Sequence, residues 1–195
     1  MEADDELLAQ LRNGNEEAFV MLVARYQQPM LRLARSIASS PAVAEEAVQD
    51  TWMGVLRGID RFEGRSSLKT WLFRILVNRA RSAESHEPSQ ASIGEAHAVN
   101  PERFDTDGHW ADPVAPWTEA SEARLDAAAW TPVLKAAIDD LPPRQRQIVL
   151  LRDVEGLSSA EACDVLGVGA GNQRILLHRG RSRLRGIIEA QMKKG

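Results

Sequence analysis

The chain has 195 residues, 44% of them apolar, and a formal net charge of −4. That is enough apolar material for one or two small cores, and it excludes disorder throughout. It begins with Glu2, Asp4, Asp5 and Glu6, the wrong charge for a secretory or mitochondrial leader, and no apolar run approaches the ~20 residues of a membrane span. No membrane insertion and a cytoplasmic location are therefore expected. Cys163 is the only cysteine, which excludes an internal disulfide and a thiolate metal cluster.

In chain order, a first helix is predicted from about Asp4 to Arg12, with Asn13-Gly14 as its stop. A second starts at Asn15. Its residues Phe19, Leu22, Val23, Tyr26, Met30, Leu33, Ala34 and Ile37 recur at i, i+3, i+4, i+7 spacing along one face, and Pro29 predicts a kink or local break. Ser39-Ser40-Pro41 supplies a cap and first turn for a third helix with apolar positions Val48, Trp52, Val55 and Leu56, ending near Ile59. Its other side carries Glu45, Glu46, Gln49 and Asp50. The loop Phe62-Glu63-Gly64-Arg65-Ser66-Ser67 leads into a fourth helix, about Ser67 to Ala83, with Leu68, Trp71, Leu72, Ile75 and Leu76 apolar.

Residues 84 to about 121 hold four prolines, three of the four histidines and no sustained periodicity, the composition of a linker. Phe104, Trp110 and Trp117 sit among its acids, either as contact points for a partner or as anchors onto the chain itself. A fifth helix follows, from near Glu122 to about Asp140, and Leu141-Pro142-Pro143 restarts the chain into a sixth, Arg144 to Val154. Glu155-Gly156-Leu157-Ser158 reads as a turn ending in an N-cap. Ser159 to Leu166, the turn Gly167-Val168-Gly169 and a last helix from about Ala170 to Met192 make a helix-turn-helix. The expected fold class is all-α: two small helical domains, 1–83 and 122–195, joined by a long acidic, largely irregular linker, 84–121.

Charge is segregated along this layout. Arg57 to Arg81 holds seven Lys/Arg against Asp60 and Glu63, and Gly169 to Gly195 holds seven against Glu189. Glu84 to Glu122 reverses the balance, with nine acids against Arg103. A basic second helix after a glycine turn is the layout of a major-groove reader. Arg174 and His178 lie one turn apart near its amino end, where base edges are met, and the later arginines lie where phosphates are expected. In the first domain, Arg61, Arg65, Lys69, Arg74, Arg79 and Arg81 accompany Phe62, Trp71, Phe73 and Asn78, a mixture suited to unpaired bases. The plainer readings are a solvated basic face for both helices and core for Trp71 and Phe73.

Ala44-Glu45-Glu46-Ala47-Val48-Gln49-Asp50-Thr51-Trp52 and the run from Phe62 through Trp71-Leu72-Phe73-Arg74 to Asn78 resemble the first conserved domain of extracytoplasmic-function (ECF) sigma factors. Leu141-Pro142-Pro143-Arg144-Gln145-Arg146, the run Leu150 to Ser158 and Leu166-Gly167-Val168 resemble their second. The resemblance implies a dissociable specificity subunit of bacterial RNA polymerase, sigma-70 type, with no chemistry and no cofactor or metal of its own. Its partners would be core polymerase (beta and beta-prime subunits), promoter DNA as duplex and as opened single strand, and a sequestering anti-sigma factor. Glu45, Glu46, Gln49 and Asp50 would dock on the polymerase clamp coiled coil. Phe62, Arg65, Ser66, Ser67, Leu68, Lys69, Trp71, Arg74 and Asn78 would hold the minus-ten strand with a base flipped out. Asn172, Gln173, Arg174, His178, Arg179 and Arg181 would read the minus-thirty-five duplex. The acidic linker would thread a positively charged polymerase channel.

The sequence departs from the family pattern at Gly169, where a capping Ser is usual, at Ile175 and Leu176, and at Gly180 in place of alanine. Gly180 implies a helix weaker by about 1 kcal/mol. Ile175 and Leu176 either face thymine methyl groups or are buried by a rotated helix. The rival reading is a duplex-only helix-turn-helix regulator, against which stand the basic, aromatic first domain and the lack of a dimerisation helix. A histidine metalloenzyme is disfavoured because His86, His97 and His109 lie in the linker without metal-site spacing.

Overall fold

The structure, a computed structural model, describes residues 2–86 and 127–192. Among these, every regular element is helical: α1 (Glu2–Arg12), α2 (Glu16–Arg35), α3 (Pro41–Gly58), α4 (Leu68–His86), α5 (Ala127–Asp139), α6 (Pro143–Val149), α7 (Ser159–Leu166) and α8 (Ala170–Met192). A 3-10 turn, Ile59–Arg61, follows α3, and a π-helical turn, Leu150–Val154, follows α6. None of the described helices is long and apolar enough to cross a membrane.

Local chemistry explains the boundaries. Asn15 caps α2 by accepting from the Ala18 N–H, and Ser40 caps α3 by accepting from the Val43 N–H, with Pro41 in the first turn where its missing donor is harmless. Ser158 and Glu161 form a reciprocal capping box on α7. That helix ends at Gly167, held at φ 63 and ψ 40, whose N–H returns to the Cys163 carbonyl; this left-handed stop suits glycine.

Two expectations change. Of the kink or local break expected at Pro29, the break is absent, for α2 runs through the proline as one helix. Buried Tyr26, Met30 and Leu33 hold the turns on either side of the proline in the core. The sixth helix is not uniform to Val154: it widens into the π turn after Val149, where Leu150 and Leu151 are buried and Val154 is exposed.

Two compact units exist. One joins the first four helices to Leu141–Arg181, and the other contains α5 and the end of α8. In the first unit, Leu22, Met30 and Leu33 of α2, Val48 and Val55 of α3, and Leu72, Phe73, Leu76 and Val77 of α4 form a fully buried core. Ile148, Val149 and Leu151 are buried in the α6 region. The helices carrying the two sets of sequence motifs thus pack in one unit, with α7 against α4. In the second unit, Ala137 of α5 is buried, and Arg185 pairs with Glu189 one turn along α8 at 2.6 Å. Phe104, Trp110 and Trp117 lie outside the described residues.

Candidate polymerase and nucleic-acid interfaces

The exposed side of α3 carries Glu45, Glu46, Gln49 and Asp50. Sequence reading assigned Leu56 to the apolar face, yet Leu56 and Met53 are each 51% exposed and share the side that bears Gln49. A 100° projection already puts Gln49, Met53 and Leu56 on one stripe, so this signal was present in the sequence. The buried side is set by Trp52, whose Nε1 donates to Gln27 Oε1 at 2.6 Å and whose ring meets Phe19 edge-on at 5.8 Å. A cleft of about 480 Å³ elsewhere in this unit is lined by Arg35, Arg81, Arg144 and Arg146. A second, of about 440 Å³, brings Glu46 and Asp50 together with Arg79 of α4.

The residues expected to hold an opened strand separate into support and surface. Phe62 is 6% exposed and packs on Trp71 with ring centroids 5.0 Å apart, and Leu68 is 2% exposed. Both side chains, expected at the strand, are buried, because apolar groups are worth more in the core than beside water. The Arg12 guanidinium donates to the carbonyl of Phe62, fixing the loop from α1. Arg65, Ser67, Arg74 and Asn78 are exposed, while Ser66, Lys69 and Trp71 are half-buried. Thr70, Arg74, Asn78 and Arg81 follow one another along a single stripe of α4, as their spacing of three or four residues requires.

On α8, Asn172 and Arg174 are exposed at the amino end, and Ile175 is 52% exposed, so the helix is not rotated to bury it; Leu177 is buried instead. Gln173, expected at the duplex, is buried. It is 3% exposed and accepts a hydrogen bond from Ser159 Oγ at 2.9 Å, which ties α8 to α7. Arg181 is held by Asp153 of the π turn, its Nε 3.0 Å from Oδ2, and this hydrogen bond raises its pKa further. His178 is half-buried; burial, followed by the charges of Arg179 and Arg181, lowers its pKa and favours the neutral imidazole. Gly180 is in close contact, not merely permissive: a Cβ there would lie 2.7 Å from Val149 Cγ2.

Sequence reading missed what meets α4. Glu161 Oε1 accepts from Thr70 Oγ1 at 2.8 Å and from Ser67 Oγ at 2.9 Å. Asp164 pairs with Arg74 at 3.1 Å, and Arg81 donates to the Leu166 carbonyl at 2.8 Å. Glu155 lies between two cations, 2.9 Å from Arg32 and 3.2 Å from Lys69, with its side chain only 10% exposed. The Ser158 N–H, and then the hydroxyls of Ser158, Thr70 and Ser67, outweigh burial and lower the Glu161 pKa from 4.5 to about 2.

These are the features of a helical DNA-binding protein, and comparison with known proteins places it. The sigma-70 region 2 family matches residues 22–84 and the sigma-70 region 4 family matches residues 133–184. The ECF RNA polymerase sigma-E factor of Haemophilus influenzae is 28% identical over 192 residues, covering 97% of each chain. Its namesake in Escherichia coli K12 is 26% identical over 194 residues, covering 98% of this chain and 97% of that one. Among solved structures, CnrH in complex with the cytosolic domain of CnrY superposes with a TM-score of 0.57 at 26% identity, covering 96% of this chain and 98% of that chain. The sigma factor RpoE of Bartonella quintana, in complex with the anti-sigma factor NepR, gives 0.56 at 28% identity, covering 88% and 96%. The chain belongs to the sigma-70 family, a family of transcription regulators, and the relatives it resembles are of the ECF group.

Proposed function

We propose that this chain works in the cytoplasm as a dissociable initiation factor, performing no chemistry itself and dividing its task between residues 1–83 and 122–195. The reading is carried by the occurrence of sigma-70 regions 2 and 4 in that order within one chain. Glu45, Glu46, Gln49 and Asp50, with Met53 and Leu56 beside them, dock on core polymerase, where an acidic rim around an apolar centre suits a basic coiled coil. Arg65, Ser66, Ser67, Lys69, Trp71, Arg74 and Asn78 hold the opened minus-ten strand, with Phe62 and Leu68 as the floor beneath them. Flipping a base costs a few kcal/mol, so a shaped pocket supported from below supplies selectivity that charge does not.

Asn172 and Arg174 read the minus-thirty-five base edges, and Arg179 and Arg181 meet phosphates, Arg181 after exchanging Asp153 for DNA. Gln173 and His178 set the helix in place. Residues 84–121 tether the two parts and enter a positively charged polymerase channel. An anti-sigma protein restrains the factor, as the complexes of its structural neighbours CnrH and RpoE lead one to expect.

Run-off transcription with purified protein and bacterial core polymerase on a genomic promoter library tests the whole reading. New starts that share two spaced upstream elements are expected. Tight duplex binding by the protein alone, with no new starts, would favour the duplex-only regulator.

A further inference from the structure

We propose that the arginine-lined cleft bordered by α2, α4 and α6 is a binding site for a pyrophosphate group, free or carried by a nucleotide. The site is separate from every promoter and polymerase contact proposed above. The cleft holds about 480 Å³, a size at which small-molecule sites are found. The residues that line it all fall in the first compact unit. Four of them are arginines: Arg35 at the end of α2, Arg81 of α4, and Arg144 and Arg146 of α6.

A solvated basic face spreads its charges apart or pairs them with acids. Here no Asp or Glu stands among the described residues that line the cleft, and among the described residues no carboxylate pairs with Arg81 or Arg144. Arg35 has Glu45 at 3.9 Å with both side chains at least half exposed, a weak pair that an anion can displace. Burial, followed by the charge of Arg144, lowers the Arg81 pKa, so these two cations stand close enough to repel. An anion between them removes that repulsion.

The walls are set without a ligand. Arg81 donates to the Leu166 carbonyl at 2.8 Å, and Gln147 Nε2 donates to the Ser36 carbonyl at 3.0 Å, which fixes α6 to the chain just after α2. A guanidinium has more donors than this one bond uses, so Arg81 keeps some for a ligand. The planar fork of arginine matches two oxygens of one phosphate, and arginines drawn from three helices favour two linked phosphates over one. Ile37, Val168 and Leu176 supply an apolar stretch of the lining against which the sugar or base of a nucleotide can rest.

Isothermal titration calorimetry of the full chain in magnesium-free buffer tests the site, with orthophosphate, inorganic pyrophosphate and ADP as probes. Saturable binding of pyrophosphate and ADP is expected, with orthophosphate weaker by at least about tenfold. If ADP binds more tightly than pyrophosphate, the site takes a nucleotide; if pyrophosphate binds more tightly, it takes the free ion. Arg144→Gln and Arg35→Gln should each weaken pyrophosphate by about tenfold, whereas Arg57→Gln, on α3 and outside the cleft, should not. Arg35 and Arg144 are exposed, so both variants should melt with the parent. Pyrophosphate should raise the melting temperature of the parent and leave that of Arg144→Gln where it was. Orthophosphate binding as tightly as pyrophosphate, no saturable binding by pyrophosphate or ADP, or an equal loss in Arg57→Gln and Arg144→Gln would overturn the proposal.

Discussion

Gly180 of α8 lies so close to Val149 of α6 that a methyl group on its Cα would sit 2.7 Å from Val149 Cγ2 and 3.5 Å from the Gln145 carbonyl oxygen. Val149 is 1% exposed and β-branched, so it has little room to yield. Helix propensity favours Ala by about 1 kcal/mol, but overpacking of this kind costs about 1–3 kcal/mol. Gly180→Ala is therefore expected to lower the melting temperature. Gly186→Ala, with nothing within 4 Å of the added atom, should raise it by up to about 1 kcal/mol in stability. Thermal unfolding of the two variants side by side checks this; a stabilising Gly180→Ala would show that α6 and α8 do not pack this closely.

Phe62 and Leu68 are expected to act through the fold. Phe62→Ala removes the partner of Trp71 and should cost about 3 kcal/mol in chemical denaturation. Phe62→Leu, which keeps apolar bulk, should preserve most of the stability and most of the transcription. A Phe62→Leu protein that is stable but inert in promoter opening would restore Phe62 as a direct contact with a base.

The two proposed DNA surfaces should separate in binding assays. Arg174→Ala is expected to weaken minus-thirty-five duplex binding by about 1–3 kcal/mol, whereas Asn78→Ala should spare the duplex and impair opening, followed with permanganate on the promoter. Equal losses of duplex affinity in both would sink this division of labour. Duplex binding should also fall steeply with added salt, because the phosphate contacts release counterions.

Glu161 binds its proton less readily in the folded chain than in the unfolded one, at about 2 against 4.5. Its contribution to stability is therefore complete above about 4.5 and is lost as the pH falls toward 2. Urea midpoints of the parent should exceed those of Glu161→Gln at neutral pH, and the gap should narrow as the buffer is taken from pH 5 to pH 3. His178 acts in the same sense at higher pH: its lowered pKa makes the fold lose stability as the pH falls below 6.5. A gap at Glu161 that is constant across the acid range would show that its carboxylate makes no special contacts.

Much of the architecture was legible before any coordinates. Asn15, Ser40 and Ser158 announce helix starts because their side chains satisfy donors only three residues away. Gly167 announces a stop for an equally local reason. The apolar stripes of α2 and α4 name most of the core. What misled was residue type read without its neighbours. Leu56, apolar in type, is exposed, while the side chains of Phe62, Leu68 and Gln173 are buried. Periodicity reports that a helix has two sides; it does not report where a loop folds under itself.

The helices, their caps, the helix-turn-helix, the segregation of charge and the sigma-70 kinship rest on chemistry within a few residues or on motifs read in order, and so are written in the chain. Long-range packing alone brings Glu161 to Thr70 across 91 positions and Glu155 to Arg32 across 123, and sets Val149 against Gly180. Taken alone, an acid on α7 and a hydroxyl or cation on α4 are each ordinary solvated surface. Their pairing comes from docking two distant faces, a property of shape and burial that no local pattern encodes.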